Sequence, residues 1–232
     1  MTTTHLTCMT YNIRLGIQEG IPAIAHVVNQ HSPDLLAVQE IGDHWTMGPE
    51  GDSTHILSTH INLPHYHHVK AITQHDNNHY GHALLSRYPF EIKNESTLPQ
   101  DKDEPRKILH VELQHPELGP LHIISTHLSW IEDRDVQGQL LQEYAHKLIS
   151  QGHHVIIMGD LNEHEHEKPW LKALLETFED ADAPQQRKTF PSKEPRIRID
   201  YLLSSRGKWS EALVPEETSA SDHFPVISTL HI

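Results

Sequence analysis

The 232-residue chain has one cysteine, no long apolar run, no internal repeat, no low-complexity tract and far fewer basic than acidic side chains. A lone thiol, Cys8, excludes a disulfide within the chain and suits a reducing compartment. Its place in a strand-like run predicts an inert buried group. No apolar stretch approaches the roughly 20 residues that a membrane-spanning helix needs. The polar start, Met1-Thr2-Thr3-Thr4-His5, has neither a charged n-region nor an apolar h-region. A cytoplasmic address is therefore the expectation, a leader removed beforehand being the alternative. No exposed aromatic hairpin or basic amphipathic helix stands out, so membrane insertion is not expected. With 18 Lys and Arg against 32 Asp and Glu, the formal net charge of −14 disfavours indiscriminate adhesion to nucleic acid. The length fits one domain over residues 1–232, and a monomer is the expected state.

The chain is rich in histidine, with 23, too many for all to be functional. It must gain much positive charge as pH falls through about 6.5. The clusters His65-Tyr66-His67-His68 and His164-Glu165-His166-Glu167 lack a structural-zinc spacing. Charge is unevenly spread: seven basic residues against Glu194 and Asp200 give residues 187–208 a net +5. That stretch reads either as an anion-attracting rim or as a solvated loop with scattered ion pairs.

Runs rich in β-branched and apolar residues predict strands at 5–13, 34–39, 66–72, 82–86, 108–113, 121–126, 153–158, 197–203 and 224–230. Helical spacing predicts helices over 21–31, 136–149 and 168–178, the first with Pro22 in its opening turn, where a missing N–H costs nothing. Gly81, Gly119 and Gly152 read as turn punctuation. Many strands with few helices indicate a mixed α/β or α+β domain with a large sheet area.

Six short segments place acid-base or metal-binding side chains at strand ends, in a fixed order: Thr10-Tyr11-Asn12-Ile13-Arg14, Gln39-Glu40, Ser125-Thr126-His127-Leu128, Gly159-Asp160-Leu161-Asn162, Arg198-Ile199-Asp200-Tyr201 and Ser221-Asp222-His223-Phe224-Pro225. Each alone is weak. Together and in this order they resemble the endonuclease/exonuclease/phosphatase superfamily of metal-dependent phosphoesterases, over about residues 10–226. The resemblance implies a four-layer α/β sandwich of the α+β class, with two facing, mainly antiparallel sheets flanked by helices and an active site at one end. Loops carry specificity on such scaffolds, so residues 42–55 and 187–196 are where substrate selection is expected.

Hydrolysing a phosphoester requires neutralised oxygens, an aimed water and a stabilised leaving group. A hard cation, Mg²⁺ or Mn²⁺, prefers oxygen ligands and needs only one or two carboxylates. Glu40, directly after an apolar strand, is the first choice of ligand, with a capping or surface glutamate as the alternative. Asn12 would sit beside it as ligand or phosphate donor, and Asp222 would add a carboxylate on the same metal or a second one. Asp160 and Asn162 follow an apolar strand and a glycine; a turn with an Asp or Asn cap is the competing reading. By the resemblance Asp160 orients or deprotonates the attacking water, Asn162 binds phosphate or holds Asp160, and Asp200 orients His223 and raises its pKa. His127 would donate to phosphate or protonate the leaving oxygen.

Four further residues each carry two readings. Arg106 reaches a substrate phosphate or forms an ordinary ion pair. Arg134 and Gln137 belong to the site or brace its loop. Trp130 is either a buried core ring or one that stacks on a base or touches a lipid chain. The expected activity is metal-dependent phosphodiester hydrolysis, a nuclease before a phosphodiesterase or phosphatase of lipid head groups or small phosphoesters. An inactive relative that binds phosphorylated partners is the competing class.

Overall fold

The computed structural model describes residues 4–75, 77–216 and 218–232. Among the described residues twelve strands form two six-stranded sheets. The first sheet runs in the order β11 (Lys208–Trp209), β12 (Val226–His231), β1 (His5–Asn12), β2 (Leu35–Asp43), β4 (Asn78–Ser86), β3 (His65–Gln74). The second runs β5 (Phe90–Thr97), β6 (Lys107–His115), β7 (Gly119–His127), β8 (Val155–Asp160), β10 (Asp200–Ser204), β9 (Glu179–Asp180). Each sheet is antiparallel except for one parallel pair, β1 with β2 and β7 with β8. A parallel neighbour requires a crossover, and helices α1 (Ile21–His31) and α3 (Asp133–Ser150) supply them. Helices α2 (Ser53–Ile61) and α4 (Pro169–Thr177) complete the outer layers. This is the α+β sandwich that the motif order implied.

The period-two alternation of the strands explains the layering. In β1, Leu6 and Cys8 face the opposite sheet, while Met9 and Tyr11 face α1 and α2. In β8, Ile156 and Met158 join the inter-sheet core, while Val155 and Ile157 pack under α3 and α4. Both central strands of each sheet are apolar on both faces, so their polar residues collect at one end. The thiol of Cys8 is buried, and that burial first, with Asp34 second, pushes its pKa far up.

Four local expectations are corrected. The strand over 34–39 continues to Asp43 through a bulge between Gln39 and Ile41. Helix α2 falls partly inside the 42–55 loop; its sequence is poor in strong helix formers, and it forms because Asp52 accepts from the His55 N–H at 3.0 Å and Leu57 and Ile61 are buried. Strand β5 is an edge strand, half-buried to exposed throughout, and lacks the apolar alternation that marks a half-buried strand. Gly81 is no turn: it lies inside β4 opposite a bulge in β3, where an added Cβ would sit 1.9 Å from the Val69 carbonyl oxygen. Because backbone cannot rotate away as a side chain can, Gly81→Ala is expected to cost about 3 kcal/mol. Urea unfolding midpoints measure this, and an unchanged midpoint would contradict it.

Candidate active site

The polar ends of the four central strands converge, and the means by which they converge are local. Glu40 is the extra residue of the β2 bulge, with a left-handed φ of 53°. It is therefore inside the strand rather than after it; bulges beside functional sites re-aim a side chain. Its carboxylate accepts from Asn12 Nδ2 at 3.1 Å, and the same amide donates to Asp160 Oδ2 at 3.0 Å. One asparagine thus links the two sheets. Asn162, also left-handed at φ 52°, donates its N–H to Asp160 Oδ1 at 2.9 Å and its amide to the Leu128 carbonyl at 2.9 Å.

His127 and His223 approach Asp160 from either side, their Nε2 atoms 3.5 and 3.9 Å from Oδ2. Their environments separate their protonation states. Arg106 Nη1 donates to His127 Nδ1 at 2.7 Å. A guanidinium cannot accept, so Nδ1 carries no proton and the ring is neutral. Burial, then Arg106 and His223, hold its pKa well below the ordinary histidine range. Burial pulls His223 the same way, but Asp200, which accepts from Nδ1 at 3.0 Å, outweighs it with help from Asp160 and Asp222, raising the pKa to about 9. His223 is therefore an imidazolium at neutral pH. Burial and the neighbouring Asp200 charge both push Asp160 upward.

Asp222 is ion-paired with Arg14 at 3.3 Å, and Ser221 Oγ donates to the Asn12 carbonyl at 2.7 Å, tying the last motif to the first. Arg14 has a left-handed φ of 46° and Leu15 one of 57°, a strained turn of the sort that concentrates at functional sites. Arg106 is buried, pairing with Glu104 at 2.9 Å while its head touches His127. Arg134 binds Glu163 at 3.1 Å and the Asn162 carbonyl, and buried Gln137 clasps the Ser129 N–H and the Pro99 carbonyl. Both placements fit bracing of the loop after β7. Trp130 is not in the core: it is 49% exposed, in edge contact with Phe190 at 5.7 Å, and the Phe190 ring lies 4.6 Å from that of His223. Phe190 carried no signal in the sequence, since only the fold brings residue 190 to residue 223.

The positive stretch at 187–208 is mostly spent on structure. Arg198 forms a buried pair with Asp180, Arg187 binds Glu211 and Asp182, Arg196 binds Glu194, Arg206 donates to the Gly152 carbonyl and Lys208 binds Glu179. Among the described residues of that stretch Lys188, Lys193 and Arg206 form no ion pair, and Arg206 instead donates to a carbonyl.

Where could a metal sit? Among the described residues, three His, Cys, Asp or Glu ligand atoms lie within 4.8 Å of one another only at Asp160, Asp200 and His223. Neither histidine-rich cluster meets that test. The predicted ligands Glu40, Asn12 and Asp222 are a different set. The first trio already contains its own cation, the His223 imidazolium. Glu40 has none within 4 Å among the described residues, and burial, only partly offset by the Asn12 hydrogen bond, raises its pKa. A half-buried carboxylate without a counter-ion is a hard oxygen donor suited to Mg²⁺ or Mn²⁺, whereas Asn12 turns its NH2 to Glu40 and its oxygen to the Arg14 N–H, and Asp222 is paired with Arg14.

Residues 9–223 match the family model described as Endonuclease/Exonuclease/phosphatase family. An Escherichia coli K12 relative, uncharacterized protein YbhP, is 31% identical over 164 residues; the alignment takes in 66% of this chain and 64% of the relative, so the chain spans just under two thirds of that relative's length. A Beutenbergia cavernae endonuclease/exonuclease/phosphatase structure superposes with TM-score 0.79 at 20% identity, covering 98% of this chain and 72% of that one. A Bacteroides thetaiotaomicron mannosyl-6-phosphatase does so with TM-score 0.71 at 18% identity, covering 96% and 98%. At those identities the structural likeness establishes the fold.

Proposed function

The chain belongs to the endonuclease/exonuclease/phosphatase family, and from that premise we propose that it is a divalent-metal-dependent phosphodiester hydrolase, in the first place a nuclease. The observation that carries this reading is the convergence on Asp160 of Asn12, Asn162, His127 and His223, from both sheets and four of the six motifs. A binder of phosphorylated ligands would need cations alone. It would not need a buried carboxylate whose pKa is raised beside an imidazolium.

In this reading Asp160 takes the proton of the attacking water, held toward it by the Asn162 N–H and the Asn12 amide. The His223 imidazolium, oriented by Asp200, faces the negative charge that grows on the phosphorus oxygens. Neutral His127 donates from Nε2, with Arg106 excluding the other tautomer, and so serves as a hydrogen-bond donor rather than a cation. A Mg²⁺ or Mn²⁺ held by Glu40, Asn12 and Asp222 would supply Lewis-acid polarisation of the phosphoryl oxygen. Purified protein is expected to hydrolyse bis(p-nitrophenyl) phosphate, to stop in EDTA and to resume with added Mg²⁺ or Mn²⁺. Glu40→Gln should demand a much higher metal concentration for half-maximal rate. Turnover indifferent to EDTA would remove the metal from the proposal, and no turnover on any diester would remove the hydrolase.

A further inference from the structure

Resting on that reading, we infer that Trp130 and Phe190 form a stacking shelf for a nucleobase next to the scissile phosphate, which makes single-stranded polynucleotide the substrate class.

Three observations carry this. First, Trp130 is 49% exposed while its backbone is held in place. Its backbone N–H donates to Asp103 at 3.1 Å, its backbone carbonyl accepts from Arg134 at 3.3 Å, and the Ser129 hydroxyl beside it donates to Asp103 at 2.5 Å. Asp133 in turn accepts the N–H groups of Asp101, Lys102 and Asp103 at 2.9 to 3.2 Å, so two loops are stapled together under one ring. A pre-organised aromatic surface binds at low entropic cost. Second, the shelf leads directly to the chemistry: Trp130 touches Phe190 at 5.7 Å, and Phe190 lies 4.6 Å from the ring of His223. A flat group resting there is one residue's reach from the reacting phosphorus.

Third, beyond Phe190 the surface opens into a groove of about 480 Å³ that passes Pro191, Ser192 and Lys193 to Arg14 and Asp222. Lys193 forms no ion pair among the described residues, and Arg14 meets Asp222. Glu19 also borders the groove, where it accepts from Ser219 at 2.6 Å. Flat ring beside free ammonium matches a base followed by its phosphate. A lipid chain fits less well, because the apolar surface at the shelf is confined to Trp130, Phe190 and the partly exposed Ile131, well short of the patch that hydrophobic docking uses.

The test compares equilibrium binding, by fluorescence anisotropy, of a labelled hexathymidylate and an equally charged hexamer of abasic residues. Both carry phosphorothioate linkages and are measured in Ca²⁺ to prevent cleavage. Wild-type protein is expected to bind the base-bearing strand about 5- to 100-fold more tightly, the range that base–aromatic stacking spans. Trp130→Ala should erase that difference, and Trp130→Phe should keep most of it with an unchanged melting temperature. Equal binding of the two strands by the wild type overturns the inference, as does a Trp130→Ala variant weakened equally toward both. So does Trp130-dependent binding of sphingomyelin vesicles without base preference. Turnover of bis(p-nitrophenyl) phosphate, measured in parallel, reports on the hydrolase reading separately.

Discussion

Asp160→Asn is expected to lower kcat on bis(p-nitrophenyl) phosphate by about 10² to 10⁴, the usual effect of removing one acid-base group, or roughly 3 to 5 kcal/mol of barrier. The substitution keeps the shape of the side chain and the hydrogen bond from the Asn162 N–H, and it relieves repulsion with Asp200. The fold should therefore survive, with little change in melting temperature. His223→Ala should cost about as much, because it removes the cation that faces the phosphate, while His127→Ala should cost less, since a neutral donor is lost. The pH profile carries the same logic. Asp160 must be ionised and His223 protonated, so activity should fall on the acid side above the ordinary carboxylate range and on the alkaline side toward about 9. Wild-type turnover by either the Asp160 or the His223 variant would sink the assignment of roles.

Acidification to pH 5 should destabilise the fold steeply. Burial lowers the pKa of His68 to about 4 against the opposing pull of Asp52 and Asp43, and burial followed by neighbouring positive charge lowers that of His82 to about 3 and of His110 and His154 to about 4. Both ring nitrogens of His68 and Nε2 of His82 are buried without a hydrogen-bond partner, so the folded state offers no hydrogen bond to a proton added at these atoms. The sign follows from linkage: below about 6.5 the unfolded chain takes up protons at these positions and the folded chain does not, so stability is lost as pH falls from 6.5 toward the folded values. At pH 5 the fully buried His82 ring contributes about 2 kcal/mol of destabilisation, and His68, which is only partly buried, adds less. His110 and His154, whose rings have hydrogen-bond partners, add less. His223 works in the opposite sense: its pKa is raised, so its contribution is complete below about 6.5 and disappears as pH rises through about 9. Stability should thus peak near neutrality. Urea unfolding from pH 8 to pH 5 measures the slope, and a flat curve between 6.5 and 5 would mean that these rings protonate inside the folded protein.

How much of this was legible beforehand differs by element. Helix α1 was read to its ends, Ile21–His31, because its apolar spacing and Pro22 are local signals. The central strands were found because both their faces are apolar. Helix α2 and strand β5 were not, the one because Ser, Thr and His give no helical bias, the other because an exposed edge needs no alternation. At the site, the motif order brought Asn12, Asp160, Asn162, Asp200 and His223 into one frame from residues up to 211 positions apart. The Glu40 bulge and the exposure of Trp130 were out of reach.

By itself the chain's order of residues determined the family, the layered architecture and the polar groups that meet at one end of the sheets, because periodicity and motif order are properties of neighbours along the backbone. Only the tertiary structure decided which partner each polar group takes: that five of the seven basic residues in 187–208 bind carboxylates or a carbonyl, four of them outside that stretch, that His127 is neutral and His223 charged, and that Phe190 joins Trp130 to the site. The reason is that pairing energies depend on distances set by strand register and sheet packing, which no local pattern encodes.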